Sequence, residues 1–158
     1  MDGSPHRVVV IGGGFGGLQA AKALAKAQTL NPRAPMIARR RAVALLSAGR
    51  AVESRDLLQA ALGSGRADAK DPVLLYLLAE SQRAAKDLVA AETTAQKIIA
   101  ADPDDVRALH VLSLILQDKG DVKGAERTLR DLIARDPMDA NALNSLGYML
   151  AERGDRLG

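Results

Sequence analysis

Three glycines near the start of the chain have the spacing of a loop that holds a dinucleotide phosphate. Gly12, Gly14 and Gly17 follow a β-branched run, RVVVI at residues 7–11, and precede an Ala/Leu-rich stretch that reads as a helix. A strand, a glycine turn and a helix start bring backbone N–H groups and the positive end of the helix dipole to a pyrophosphate. The loop therefore predicts cofactor binding by these three glycines, provided that the rest of a nucleotide-binding sheet follows.

The residues around this loop, HRVVVIGGGFGGLQAAKALAKA at 6–27, resemble the N-terminus of type II NADH dehydrogenases and related pyridine nucleotide-disulfide oxidoreductases. The resemblance implies FAD as the cofactor and an NADH:quinone oxidoreductase activity. In such folds an acidic residue about 20 residues beyond the loop holds the ribose. This chain has no Asp or Glu between Asp2 and Glu53, and no second β-rich run. We therefore expect the loop to be vestigial, and the flavin enzyme, or an inactive fragment or fusion of one, is the alternative.

The remaining residue types exclude most other catalytic and metal chemistry. The chain has no cysteine, which excludes thiolate metal sites and cysteine nucleophiles, and its two histidines, His6 and His110, are far apart in sequence. Ser47, Ser54 and Ser81 lie within predicted helices and lack the flanking glycines of a nucleophile turn. No run of 18 apolar residues is present, so no membrane span is expected. We expect a protein that is not an enzyme and that needs neither a metal nor a cofactor.

A period of 34 residues organises most of the chain. Pro72, Val106 and Ala140 begin three segments in which the fourth and seventh residues are leucine and the eighth is small. These residues are Leu75, Leu109 and Leu143, then Leu78, Leu112 and Leu146, then Ala79, Ser113 and Gly147. Alanine recurs at the twentieth position and proline at the thirty-second. The repeat length and the residues that recur at fixed positions resemble the tetratricopeptide repeat, a helix–turn–helix unit.

The resemblance implies a mainly α fold, a superhelix of tetratricopeptide-type helical hairpins, preceded by a short β-strand, a glycine turn and a helix. We expect a truncated Rossmann-like βα segment over residues 1–30 and a linker over 31–35. The array over 36–158 would hold about three and a half repeats, the last one incomplete. Its helices are predicted over residues 36–48, 51–62, 73–85, 88–101, 104–118, 122–135 and 138–152.

Repeats of this family bind peptides or protein segments in a concave groove that the first helix of each pair lines. The second, fifth, ninth and twelfth residues of each first helix should face this groove. The candidate partner-binding residues are Tyr76, Glu80, Arg83, Arg107, His110, Leu114, Gln117, Asn141, Asn144 and Tyr148. Tyrosine and arginine are frequent anchors of interfaces, and asparagine amides can bond a peptide backbone. We expect a protein–protein interaction scaffold, and a merely solvated concave face is the alternative.

Charge differs between the first third of the chain and the remainder. Residues 1–50 carry eight Lys or Arg and one acidic residue, whereas residues 51–158 carry fourteen Lys or Arg and eighteen acidic residues. Aromatic residues are only 2% of the chain, so the basic stretch lacks side chains that stack on bases, and nucleic acid is not expected as a partner. The last predicted helix has no following partner helix, so we expect self-association through the uncapped C-terminal repeat. A cytoplasmic location is the default prediction.

Overall fold

The structure, a computed structural model, describes residues 15–30, 35–64 and 69–155. The described residues form eight α-helices and contain no strand. In chain order these are α1 (Phe15–Leu30), α2 (Pro35–Ser47), α3 (Ala51–Gly63), α4 (Pro72–Ala84), α5 (Leu88–Ala101), α6 (Val106–Lys119), α7 (Val122–Arg135) and α8 (Ala140–Asp155). The mainly α fold is confirmed. The predicted strand over residues 7–11, together with Gly12 and Gly14, lies outside the described residues.

The helix ends follow local signals in the sequence. Asp71 accepts a hydrogen bond from the backbone N–H of Val73 at 2.9 Å and so caps α4, as its position before Pro72 predicts. Asp121 caps α7 through the N–H of Gly124 at 3.0 Å. Pro35, which the predicted linker included, is the first residue of α2. Proline suits this position because its ring fixes a helical φ and the first turn needs no N–H donor.

The turn inside each helical hairpin repeats the same backbone geometry. Gly49, Lys86 and Gly120 have φ of 74°, 64° and 77°. In each case the N–H of this left-handed residue bonds the carbonyl three residues back, and the next N–H bonds the carbonyl five residues back. This pair of backbone hydrogen bonds ends a helix and reverses the chain. Gly49 thereby aligns with Gly120, which makes Pro35 the first residue and Arg41 the seventh residue of the first repeat.

The chain is divided into two compact units, one up to Ser81 and one from Gln82. In the first unit α1 packs against α2 through a cluster of buried residues, which are Ala21, Leu24, Ala44 and Leu45. A second cluster joins α2, α3 and α4 and consists of Ala42, Leu58, Leu74 and Leu78. The small residues allow close helix contacts and the leucines fill the remaining space. Helix α1 thus packs as part of the helical core of the first unit.

Two buried serines bridge helices α3 and α4. Their hydroxyl oxygens, those of Ser54 and Ser81, lie 2.8 Å apart, and the Ser54 hydroxyl is also 3.1 Å from the carbonyl oxygen of Ala42. Buried hydroxyls need such partners because an unpaired one loses its bonds to water. Both serines therefore have a structural role, as their helical positions without a nucleophile turn indicate.

The second unit has its own core, between α6, α7 and α8. Its cluster of buried residues consists of Leu109, Leu129, Leu132 and Ala142, and Ile99, Ile133, Leu146 and Met149 pack against them. Ion pairs also join the helices: Arg83 contacts Asp118 at 2.9 Å, and Lys119 pairs with Glu92. This core fixes the positions of α6 and α8, the two helices of this unit that carry most of the predicted groove residues.

Candidate functional site

The predicted partner-binding residues fall in both units. On α4 of the first unit, Tyr76 is half-buried and Glu80 is exposed. In the second unit the half-buried members are Arg83, His110, Leu114 and Gln117, and the exposed members are Arg107, Asn141, Asn144 and Tyr148. None is fully buried, so each one has surface available for a partner.

A cavity of about 450 Å³ lies between α6, α7 and α8. Its lining residues are Gln117 from α6, Val122, Lys123 and Glu126 from α7, and Tyr148, Met149 and Glu152 from α8. Two of the predicted residues, Gln117 and Tyr148, are thus brought together in one concave site. The other predicted residues of the unit do not line it.

Polar contacts orient the side chains of α8 at the cavity. The Tyr148 hydroxyl donates a hydrogen bond to the Glu152 carboxylate, one turn further along the same helix. This bond and the negative charge of Glu152 raise the pKa of Tyr148 above its ordinary value, because loss of the tyrosine proton would break the bond and place two negative charges together. The direction of this shift favours the protonated form of Tyr148, which is the form that can donate a hydrogen bond.

The polar side chains of α6 and α7 at the cavity differ in whether they have a hydrogen-bond partner within the chain. Glu126 accepts a hydrogen bond from Arg130 at 2.8 Å, also one turn along its helix. The Gln117 amide nitrogen is buried, and no other described residue accepts a hydrogen bond from it. A buried donor without an acceptor is unfavourable, so this amide is the natural place for a ligand oxygen to bond.

One predicted anchor is already engaged within the chain. The Arg83 guanidinium contacts Asp118 of α6 at 2.9 Å, and its side chain keeps 33% exposure. Arg107, in contrast, has 70% exposure and stands 3.7 Å from Asp105. The two arginines therefore differ in exposure, although each makes an ion pair within the chain.

The third glycine of the predicted cofactor loop is part of a helix contact. Gly17 lies in α1 and is buried, and a Cβ atom added to it would stand 3.5 Å from the Ala44 carbonyl oxygen and from the Ala48 backbone nitrogen. These atoms belong to the end of α2. Gly17 thus lies at the contact between α1 and α2, where an added Cβ would make ordinary van der Waals contact.

Five cavity residues were missed by the sequence reasoning: Val122, Lys123, Glu126, Met149 and Glu152. The groove prediction used the first helix of each pair only, whereas three of these five belong to the second helix α7. A signal was nevertheless present in the repeat alignment. Arg83 and Asp118, 35 residues apart, correspond to Gln117 and Glu152, so the arginine is replaced by a neutral amide while the acid is retained.

Neither a metal cluster nor a membrane-crossing helix is found in the part of the chain that the structure describes. No group of three or more His, Asp or Glu side chains in these residues converges as metal ligands would. None of the described helices combines the length and apolar character needed to cross a bilayer.

Several solved structures have the same fold as this chain. MamA from Desulfovibrio magneticus RS-1 superposes with a TM-score of 0.76 at 17% identity, over 89% of this chain and 78% of that one. YrrB, described as a tetratricopeptide protein with an unusual peptide-binding site, gives 0.67 at 19% identity over 89% and 71%. The first such domain of Spaghetti (RPAP3), bound to the HSP90 peptide SRMEEVD, gives 0.63 at 16% identity over 86% and 94%.

The sequence comparisons identify the repeat directly. No curated protein matches the chain significantly. The family model of the tetratricopeptide repeat, however, matches two overlapping stretches, residues 45–115 and 82–147. These stretches cover most of the chain and coincide with the helical hairpins and the left-handed turns described above. The chain therefore belongs to the tetratricopeptide repeat family.

Proposed function

We propose that this chain is a non-enzymatic scaffold that binds a peptide or protein segment, with the cavity between α6, α7 and α8 as its contact in the second unit. The observation that carries the proposal is the cavity itself, which joins Gln117 and Tyr148 to the apolar Val122 and Met149. Its volume of about 450 Å³ fits a few side chains of a partner. The other predicted residues are proposed as further contacts within their own units: Tyr76 and Glu80 in the first, and Arg107, Asn141 and Asn144 in the second.

The proposal agrees with the family and with the solved relatives. Of the structures that share the fold, one is described as bound to an HSP90 peptide and another as having an unusual peptide-binding site. Those ligands belong to those proteins, which are less than 20% identical to this chain. They support the class of function, which is a scaffold for polypeptide ligands. The sequence of the ligand has to be inferred from the site of this chain itself.

A peptide selection followed by calorimetry tests the site. Peptides chosen from a random library against the full chain should bind, and Tyr148→Ala should weaken them by roughly tenfold, which equals about 1.4 kcal/mol. We expect this because the substitution removes one wall of the cavity. Val89→Ala is the matched control, since Val89 is 71% exposed on α5 and does not line the cavity. Equal affinities for both variants would refute the site, and an empty selection would refute the function.

The flavin alternative has a separate readout. Gly17, the one glycine of the loop that the structure describes, packs against α2. We propose that the chain acts without FAD or another cofactor. Purified protein with bound flavin would be yellow and would absorb near 450 nm, a property of the cofactor that a scaffold lacks. Turnover of NADH by a yellow preparation would overturn the non-enzymatic proposal.

We also propose that the chain self-associates through the open face of α8, defined by Leu143, Gly147 and Leu150. Leu143 is 46% and Leu150 is 37% exposed, and nothing lies within 4 Å of a Cβ added to Gly147. The apolar surface supports contact with a second copy, because burying it removes apolar area from water. Nucleic acid is not part of the proposal, and the cytoplasmic location stays a prediction from the sequence.

A further inference from the structure

The polar residues of the cavity have counterparts one repeat earlier in the same unit, at the end of α4 after Ser81 and on α5 and α6. A shift of 34 residues relates Gln117 to Arg83, Glu126 to Glu92, and Glu152 to Asp118. The helices at both junctions have the same order, and the turns before α5 and α7 have the same left-handed geometry. The two junctions therefore serve as an internal comparison, in which equivalent backbone positions carry different side chains.

At the earlier junction both carboxylates are compensated by cations of the chain itself. The Arg83 guanidinium lies 2.9 Å from an Asp118 carboxylate oxygen, with its side chain 33% and that of Asp118 28% exposed. Lys119 pairs with Glu92 in the same region. The tetratricopeptide junction of this chain can thus accommodate a guanidinium between its helices, opposite the acidic residue at position thirteen of the following repeat.

At the later junction this cation is missing from its position. Gln117 replaces the arginine, and its amide nitrogen is buried without an acceptor among the described residues. This leaves the amide to bond a backbone carbonyl of the partner segment, since a guanidinium has no acceptor. The acid is retained as Glu152, whose carboxylate accepts the hydrogen bond from Tyr148. Gln117 and Glu152, the equivalents of Arg83 and Asp118 by the 34-residue shift, both line the cavity of about 450 Å³.

The lining of the cavity suits a cation better than an anion or a neutral group. Glu126 is paired with Arg130 on its own helix, whereas Glu152 forms no ion pair with another described residue and lines the cavity with its carboxylate. Tyr148 replaces the leucine found at the equivalent position, Leu114, and an aromatic ring attracts a cation at its face. Val122 and Met149 offer apolar contact for the methylene stem of a long side chain.

We infer that this cavity binds the guanidinium of an arginine side chain in the partner segment, opposite Glu152, in the way that Asp118 holds Arg83 within the chain. The inference rests on the proposed function and adds the chemistry of the ligand. Arginine fits better than lysine because its planar fork pairs with a carboxylate and also stacks on an aromatic ring. The partner would thus supply the guanidinium that Arg83 of the chain itself supplies one repeat earlier.

Peptide pairs that differ only in charge test the inference. For an arginine-containing peptide selected on the full chain, arginine is exchanged for citrulline, a neutral group of the same shape. The wild-type chain should bind the arginine form at least about tenfold more tightly, and Glu152→Gln should abolish most of this preference. Glu53→Gln is the control, because Glu53 is an exposed acid on α3 outside the cavity, and it should leave the preference intact.

A second variant installs the missing cation in the chain. Gln117→Arg should pair with Glu152 as Arg83 pairs with Asp118, so it should preserve or raise the melting temperature and reduce the preference for arginine over citrulline about tenfold. Circular dichroism checks that the variant is folded. If the preference is absent in the wild-type chain, or survives in Gln117→Arg, the inference is wrong. Peptides that bind through Tyr148 without arginine would refute the inference alone, and an empty selection would refute the proposed function with it.

Discussion

At the scale of single residues, one backbone position shows how the repeat tolerates an unsuitable side chain. Lys86 has a φ of 64° in a turn where the other two hairpins have glycine. The left-handed conformation costs about 1–2 kcal/mol for a residue with a Cβ atom. Glycine avoids this cost but loses more conformational freedom on folding. Lys86 is exposed, so its side chain contributes little packing that would offset the strain.

We therefore predict that Lys86→Gly stabilises the protein by about 0.5–1 kcal/mol, the difference between these two effects. Urea denaturation followed by circular dichroism measures the shift in the midpoint. The reverse change in an equivalent turn, Gly120→Lys, should lower the midpoint by a similar amount and is the control. A lower midpoint for Lys86→Gly would mean that the lysine side chain stabilises the turn more than its backbone conformation destabilises it.

Of the seven residues that line the candidate site, two were predicted from the sequence. The spacing of first helices places Gln117 and Tyr148 on accessible surface, because a helical position determines direction. It does not reveal that the α7 residues Lys123 and Glu126 face the same cavity, since this depends on how α7 packs on its neighbours. Nor does it reveal that Arg83 is held by an acid 35 residues away. Side-chain pairing across helices is a tertiary property.

At the scale of elements, the sequence predicted the helices of the array well and their contacts less well. Aspartate caps and glycine or proline turns are local signals, so the seven predicted array helices begin and end within three residues of the observed ones. The helix after the glycine loop was also predicted, from its Ala/Leu-rich stretch. Its packing against α2 was not, because small residues such as Ala21 and Gly17 carry no signal that names their neighbour.

The open face of α8 is where an element-scale prediction can be tested. Leu143 and Leu150 are 46% and 37% exposed, whereas their equivalents on α6, Leu109 and Leu116, are 5% and 7% exposed. The same repeat positions are thus buried in one helix and accessible in the other. Association of two copies through this face would bury leucine side chains, each of which contributes up to about 1.5–3 kcal/mol when fully removed from water.

We predict that the average mass of the wild-type chain in sedimentation equilibrium rises with concentration, and that Leu143→Glu combined with Leu150→Glu keeps it monomeric. Charged side chains oppose association because they would lose their hydration in the contact. Val89→Glu is the control for added charge at an exposed apolar residue of another helix. A wild-type chain that stays monomeric at all concentrations, or a double variant that associates equally, would refute self-association through α8.

At the scale of the whole molecule, the buried core is divided between the two units. Leu58 belongs to the cluster of α2, α3 and α4, and Leu129 belongs to the cluster of α6, α7 and α8; both are fully buried. Replacement of a buried leucine by alanine costs about 2–5 kcal/mol, depending on how far the surroundings close the cavity. In repeat proteins such a cost acts on the altered repeat and its neighbours, because each repeat contacts only those next to it.

Leu58→Ala and Leu129→Ala should therefore destabilise different parts of the same chain, and each variant is the control for the other. Hydrogen exchange of the full chain, read by mass spectrometry, should show the larger loss of protection in α2 and α3 for Leu58→Ala and in α6, α7 and α8 for Leu129→Ala. An equal loss throughout the chain for both variants would mean that the two units unfold as one. A loss of protection confined to the altered unit would mean that the two units unfold separately. A partner bound at the cavity between α6, α7 and α8 would then stabilise the second unit, because binding requires only that unit to be folded.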